Sequence, residues 1–152
     1  MDVMVSYTST AITLLITGCI VPRTWPFRGG TLLAVETVRD LLLDPAHDRD
    51  GVCILGGEPM DQPEGVALLL ALLKERGVHV TLYSGYDLGS LLRRRRPAIR
   101  AALSLADILI DGPFDRALAR GAGEWRGSSN QRVWEHSALQ GALHACTSTS
   151  SS

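Results

Sequence analysis

The sequence has little of several features that would point to a particular class of protein. Its 152 residues carry a formal net charge of −1, so there is no strong positive field to attract nucleic acid. The apolar stretch at 11–16 is far shorter than the roughly 20 residues that a membrane-spanning helix needs, and no basic segment typical of a signal peptide precedes it. We therefore expect a cytoplasmic protein with neither nucleic acid nor a membrane as partner.

Cysteine is scarce as well. The chain has only three cysteines, Cys19, Cys53 and Cys146. An odd number of cysteines in a chain without a secretory signature argues against a disulfide framework and favours a reducing compartment. The four histidines show no spacing typical of metal ligands.

The first 17 residues differ in composition from the rest. They contain no glycine, proline, lysine or arginine, whereas the chain beyond them is rich in glycine and arginine. We divide the chain into an atypical N-terminal segment with the first strand (1–17), a main domain (18–135) and a C-terminal tail that is largely disordered (136–152). One hypothesis for the first segment is unrelated or frame-shifted coding sequence joined to the main domain.

Apolar runs and helical periodicities alternate along the chain. Short apolar runs predict strands at 11–17, 51–55, 78–83 and 106–111, with a further short strand at 132–135. Apolar residues at helical spacing predict helices at 31–43, 63–76 and 87–95. Thr31 is the expected N-cap of the first helix, and Pro97 is the expected breaker beyond the third. The alternation predicts an α/β fold with a mostly parallel sheet and β-α-β crossovers.

The first candidate site is the loop Gly56, Gly57, Glu58 and Pro59, which follows a predicted buried strand. Ligands bind at the carboxyl ends of strands in parallel α/β sheets, and the two glycines let the backbone come close to a ligand. The alternative is a tight turn that carries a solvent-facing acid.

Two more strands end in polar residues. Ser84 lies in the segment YSGY at 83–86, whose aromatic rings either line a pocket or cap the sheet. Asp111 ends the next strand within DILIDGPF at 107–114, where it either faces the same edge or is a turn residue. Both residues are candidates for ligand binding.

The segment WRGSSNQR at 125–132 concentrates hydrogen-bonding groups in a short loop. Its candidate binding residues are Arg126, Ser128, Asn130 and Gln131. Such a set of donors and acceptors suits a polar ligand, and it equally suits a loop fastened to the edge of the sheet.

Taken in order, these segments and the stretch from Gly18-Cys19 to Gly30 resemble the radical S-adenosylmethionine superfamily. The resemblance is to the glycyl-radical-enzyme activating proteins with a single 4Fe-4S cluster domain, and it covers about residues 18–135. It implies a partial (β/α) barrel. It also implies a glycyl-radical enzyme, such as anaerobic ribonucleotide reductase, as partner and reduced flavodoxin or ferredoxin as electron donor.

The resemblance further implies two cofactors. In that family a CxxxCxxC loop holds a 4Fe-4S cluster through three thiolates, and S-adenosylmethionine binds at the cluster. Carried over by position, Cys19 is the metal ligand, and the backbone of 56–58 holds the amino group of S-adenosylmethionine. Ser84, Asp111 and the loop 126–131 lie near the cofactor or the partner.

The sequence departs from the family at the cluster loop. Of three cluster cysteines only Cys19 is present, because no other cysteine occurs before Cys53. Two functional hypotheses follow. The chain is a radical activase-type oxidoreductase that generates a glycyl radical, inactive if the missing thiolates are not replaced, or it is a non-catalytic module that binds S-adenosylmethionine or docks the partner.

Overall fold

The chain folds as a mixture of strands and helices. The computed structural model describes residues 2–5, 31–46, 50–55 and 57–148. The strands are β1 (Asp2–Val5), β2 (Thr31–Ala34), β3 (Val52–Ile54), β4 (Val80–Ser84), β5 (Ile108–Asp111) and β6 (Arg132–Glu135). The helices are α1 (Val35–Leu42), α2 (Pro63–Lys74), α3 (Leu88–Arg93), α4 (Pro97–Leu105) and α5 (His136–Ser148).

The main sheet has four strands in the order β3-β4-β5-β6. The first three run parallel and β6 is antiparallel to β5, which confirms the predicted α/β class with a mostly parallel sheet. In the described ranges this sheet does not close on itself, since β3 and β6 remain its two outer strands. A barrel is therefore not confirmed. β1 and β2 form a separate antiparallel pair.

One face of the main sheet forms the hydrophobic core. Side chains alternate between the two faces of a strand, and Val80 and Leu82 of β4 and Leu109 of β5 are fully buried in the same apolar cluster. All five helices contribute the other side of this cluster, α3 through Leu88 and Leu91. Burying one such leucine stabilises the fold by about 2 kcal/mol. The layer keeps the strand ends, and hence the loops that follow them, in fixed positions.

Local signals explain where α2 begins and ends and where α3 begins. Pro63 stands at the first position of α2, where its missing N–H leaves nothing unsatisfied. Gly77 follows the helix with φ +70°, a conformation that glycine adopts without strain. Asp87 caps α3, because its carboxylate accepts a 2.9 Å hydrogen bond from the amide of Ser90.

The predicted helix at 31–43 is correct only in its second part. Residues 31–34 are the strand β2, paired with β1 in the register Asp2 to Ala34, and the helix begins at Val35. Thr31 is therefore not an N-cap. The prediction was wrong because apolar residues at 31–34 fit a strand as well as a helix when the segment is this short.

Pro97 does not act only as a breaker. It is the first residue of α4, a helix that the sequence analysis missed. Proline disfavours helical geometry in the residue before it, yet its own φ suits a first helical turn. α4 packs closely against α2 and buries Ile99 and Leu103 completely.

The predicted disordered tail at 136–152 is wrong for residues 136–148, which form α5. Leu139 and Leu143, one helical turn apart, are 0% and 5% exposed in the core, so this segment has an apolar face to bury. The predicted strand at 11–17 and residues 149–152 lie outside the described residues. Of the helices in the described part, none has the length and apolar character needed to cross a membrane.

Candidate functional site

Four of the sequence motifs meet at the carboxyl ends of the parallel strands. They surround a cleft of about 100 Å³, lined by Gly57, Pro59, residues 83–85, Gly112, Phe114 and Gln131. The motif GGEP follows β3, YSGY spans the end of β4, DGPF begins at the last residue of β5, and the RGSSNQ loop precedes β6. The fold therefore brings together segments that are far apart in the chain, at the edge where parallel sheets bind ligands. Gly56 lies outside the described residues.

Glu58 joins the first two of these loops from inside. Its side chain is buried, and its Oε1 atom accepts hydrogen bonds of 2.9 Å from the amide of Met60 and 2.9 Å from the hydroxyl of Ser84. Its Oε2 atom accepts a 2.7 Å bond from the amide of Gly85. Burial raises the pKa of Glu58 above its ordinary value, although these hydrogen bonds oppose the rise. The Glu58 carboxylate therefore faces the protein interior. This is contrary to the alternative interpretation of a tight turn with a solvent-facing acid.

Ser84 and Tyr86 extend this network. The Ser84 hydroxyl also accepts a 3.1 Å hydrogen bond from the amide of Tyr86, so it shapes the turn after β4. The Tyr86 hydroxyl donates to Asp61 at 3.3 Å. The guanidinium of Arg94 lies 3.8 Å from the centre of the Tyr86 ring, a distance typical of a cation–π contact. These contacts connect the turn after β4 to Asp61 and Arg94.

Asp111 is fully buried at the end of β5. Its carboxylate accepts a hydrogen bond from the amide of Leu88, at the start of α3, and two from the guanidinium of Arg132 in β6. A paired charge is the form in which a buried carboxylate is tolerated. Asp111 thus fixes three elements to one another. The sequence analysis missed Arg132 as its partner, although the adjacent positions in β5 and β6 follow once the strands are paired.

Gln131 closes the cleft from the side of β6. Its Oε1 atom accepts hydrogen bonds from the amides of Gly127 at 2.8 Å and Ser128 at 3.2 Å. Its Nε2 atom donates to the carbonyl of Gly112 at 3.0 Å. The side chain therefore fastens its own loop to the loop that follows β5.

Ser128 and Asn130 make further contacts with the same loop. The buried Ser128 hydroxyl accepts a 3.0 Å hydrogen bond from the amide of Asp115. The Asn130 amide donates to the carbonyl of Pro113 at 2.7 Å. These bonds agree with the alternative of a loop fastened to the sheet edge, and they occupy two of the side chains that were expected to meet a ligand.

Arg126 and Trp125 each contact a residue that lines the cleft, although neither lines it. The Arg126 guanidinium makes a long contact of 3.4 Å to the carbonyl of Gln131. Trp125 has a φ of 68°, which is rare for a residue other than glycine, and its side chain is 57% exposed. The Tyr83 hydroxyl donates to the Trp125 carbonyl at 2.9 Å and so supports this conformation.

The arrangement offers a ligand backbone groups and aromatic surface. The polar side chains of Glu58, Ser84, Asp111 and Gln131 already bond within the protein. Tyr83 and Phe114 line the cleft, and the sequence analysis did not name them individually, although both stand in motifs that it singled out. The candidate side chains therefore act mainly by holding the loops in place.

The cysteines do not form a cluster site in the described part of the chain. Cys53 lies in β3 and Cys146 in α5, while Cys19 lies outside the described residues. No group of three histidine, cysteine, aspartate or glutamate residues is placed to hold a metal ion within the ranges that the structure describes. The described residues therefore do not fit a 4Fe-4S cluster.

Comparison with known proteins gives relatives for most of the chain. It is 31% identical over 125 residues to the anaerobic ribonucleoside-triphosphate reductase-activating protein of Salmonella typhi, covering 76% of this chain and 77% of the relative. The protein of the same name from Escherichia coli K12 is 29% identical over 125 residues, with the same coverage. The one from Enterobacteria phage T4 is 28% identical over 124 residues, covering 78% and 75%.

A family match agrees with these relatives. The sequence profile of the 4Fe-4S single cluster domain matches residues 13–134, a range that includes all four motifs around the cleft. The match confirms the resemblance drawn from the motifs and spans well over half of the chain. The chain belongs to the 4Fe-4S single cluster domain family.

Proposed function

We propose that this chain is an activase-type protein that acts with an anaerobic ribonucleoside-triphosphate reductase and binds S-adenosylmethionine at the strand-end cleft. The names of the relatives support the choice of partner. The observation that carries the proposal is the meeting of four motif loops around one cleft, at the edge of the sheet where such folds bind ligands.

In this proposal the side chains position the loops and the backbone meets the ligand. Glu58 holds the turn at Gly57 against the turn at Gly85 through buried hydrogen bonds. An amino group of S-adenosylmethionine then meets carbonyl oxygens of the first loop. The Phe114 ring, which lines the cleft, packs against the apolar part of the ligand.

We assign no reductive cleavage of S-adenosylmethionine to this chain. The family's 4Fe-4S cluster supplies the electron for that step, and the described residues do not fit such a cluster. Generation of a glycyl radical on the reductase is accordingly outside the proposal. In this proposal the strand-end cleft binds S-adenosylmethionine, and the chain binds the reductase, without a cluster.

Calorimetric titration of the cluster-free protein with S-adenosylmethionine tests the ligand. We expect saturable binding with one site per chain, weakened about tenfold, or about 1.4 kcal/mol, by Phe114→Ala. Leu118→Ala is the matched control, because Leu118 is exposed outside the cleft lining. Absence of binding to the wild-type protein would contradict the proposed ligand.

A second candidate function is a docking module that binds the reductase without S-adenosylmethionine. The size of the cleft favours it, since about 100 Å³ is below the roughly 300 Å³ at which small-molecule pockets begin. Co-sedimentation of the chain with an anaerobic reductase, with and without S-adenosylmethionine, separates the candidates. Equal binding in both conditions, together with no calorimetric signal, favours the docking module.

A further inference from the structure

We infer that this chain cannot ligate a 4Fe-4S cluster with three of its own thiolates, and that the number of thiolates is what separates it from a cluster-bearing member of its family. The sequence contains three cysteines in all. A three-thiolate site would consequently require Cys19, Cys53 and Cys146 to meet at one cluster. The positions of Cys53 and Cys146 exclude this.

Cys53 lies at one edge of the sheet. It is the middle residue of β3, the first strand in the order β3-β4-β5-β6, and its side chain is exposed. Its neighbours Val52 and Ile54 pack into the core on the helix-covered face. Because successive side chains of a strand point to opposite faces, Cys53 lies on the face away from the helices.

Cys146 lies at the other edge, on the helix-covered face. It belongs to α5, which follows β6 directly and contacts α4, β5 and β6. Leu139 and Leu143 attach this helix to the core. Neighbouring strands are about 4.8 Å apart, so the strands β3 and β6 are separated by about 14 Å. The sheet itself stands between the thiols of Cys53 and Cys146.

At most two thiolates of one chain can therefore join the same cluster, whatever the position of Cys19. The thiolate sulfurs of one cluster lie within a few ångströms of each other, because each binds a corner of the same cubane. Other ligand types do not replace the missing thiolate among the residues that the structure describes, since these contain no suitable group of three.

The inference stands on the cysteine positions and does not depend on the proposed function. Together with that function it has a consequence: S-adenosylmethionine bound by this chain remains intact. The 4Fe-4S cluster is the source of the electron that would break its carbon–sulfur bond, and the residues that the structure describes do not fit such a cluster.

Anaerobic reconstitution with iron and sulfide tests the inference, with bound iron and visible absorption as readouts. Two double variants restore the CxxxCxxC spacing around Cys19, namely Ile12→Cys with Ile16→Cys, and Arg23→Cys with Pro26→Cys. Circular dichroism before reconstitution checks that each variant is folded. Cys53→Ser and Cys146→Ser are matched controls, which we expect to behave as the wild-type protein does.

We expect the wild-type chain to bind no stoichiometric cluster and at least one restored variant to bind a full one. A wild-type chain that binds a full cluster overturns the inference. So does failure of both restored variants when they are folded, because thiolate number would then not be the limiting property. Calorimetry with S-adenosylmethionine on the same samples tests the proposed function separately. Iron content tests the inference about the cluster, and either result can be negative without the other.

Discussion

The two ends of the main sheet are both held by carboxylates, but by different means. At the amino end, Asp107 accepts two hydrogen bonds of 2.8 Å from the ammonium of Lys74, the only lysine of the chain, and one of 2.7 Å from the amide of Val80. At the carboxyl end, Glu58 accepts hydrogen bonds from amides and from the hydroxyl of Ser84. One carboxylate has a cation, and the other has neutral donors.

Because of this difference, the pKa values of Asp107 and Glu58 shift in opposite directions. Burial alone would raise the pKa of Asp107, but the hydrogen bonds from Lys74 and Val80 hold it below its ordinary value. Burial raises the pKa of Glu58, and its neutral donors do not reverse the rise. The contacts of Asp107 thus favour its charged form, whereas burial disfavours the charged form of Glu58. Such a perturbed group beside a cleft is typical of functional sites.

The largest expected effect comes from Arg132→Met, which removes the charge pair that the carboxyl end does possess. Asp111 would remain fully buried with the amide of Leu88 as its remaining donor. We expect the free energy of unfolding to fall by about 3 kcal/mol, measured by denaturant unfolding at neutral pH. Arg126→Met is the control, since in the described part of the chain the Arg126 guanidinium makes a single hydrogen bond, of 3.4 Å, and no ion pair. Equal losses in the two variants would contradict the assigned role of Arg132.

Asp107→Ala has the next largest expected effect, because it removes the charge pair at the amino end. Lys74 and the amide of Val80 both lose an acceptor, and both groups are partly buried. We expect a loss of about 2 kcal/mol in the free energy of unfolding. Asp40→Ala is the matched control, because Asp40 forms an exposed pair with its neighbour Arg39, and such pairs contribute less than about 1 kcal/mol. If Asp107→Ala lowers the free energy of unfolding no more than Asp40→Ala does, the pair of Asp107 and Lys74 does not stabilise the amino end of the sheet.

Sequence patterns were sufficient to predict a secondary-structure element where its signal is local. β6 was predicted at its observed bounds, and α2 was recognised from Pro63 and Gly77. Pro97 misled the prediction because proline is compatible both with a helix end before it and with a helix start at its own position. The tail at 136–148 was misjudged because the polar residues near its end outweighed two leucines whose burial depends on tertiary packing.

The candidate site was predictable in position and not in detail. The motifs at 56–59 and 83–86 were placed at strand ends from the sequence, and the structure brings the described part of them together. The partners of the side chains were not predictable, because they depend on packing between distant segments. Glu58 and Ser84 are 26 residues apart, and Lys74 and Asp107 are 33 apart. No local pattern encodes either pairing.

The two pKa shifts predict opposite effects of pH on stability. Stabilisation by Asp107 is lost as pH falls through its folded-state pKa, which lies below 3.8. The folded protein binds the proton of Glu58 more tightly than the unfolded chain does, so stability decreases as pH rises from 4.5 to the raised pKa. In a plot of unfolding free energy against pH, Asp107→Asn should remove the loss of stability at low pH. Glu58→Gln should remove the decrease in stability as pH rises above 4.5. For each variant, the wild-type curve minus the variant curve gives the contribution of that carboxylate. If the two difference curves slope in the same direction, the pKa values of Asp107 and Glu58 do not shift in opposite directions.

Ser84→Ala has the smallest expected effect and isolates the neutral donors at the carboxyl end. The substitution removes one of the three hydrogen bonds to Glu58 and the acceptor of the Tyr86 amide. We expect a loss of about 1 kcal/mol in the free energy of unfolding and a further rise in the pKa of Glu58, because a hydrogen bond that favours its charged form is gone. Ser104→Ala is the control, since that exposed hydroxyl contacts only a carbonyl of its own helix, Ala101. If Ser84→Ala leaves the acidic part of the pH curve unchanged, the Ser84 hydroxyl does not contribute to the pKa of Glu58, and only burial and the two amide donors distinguish Glu58 from Asp107.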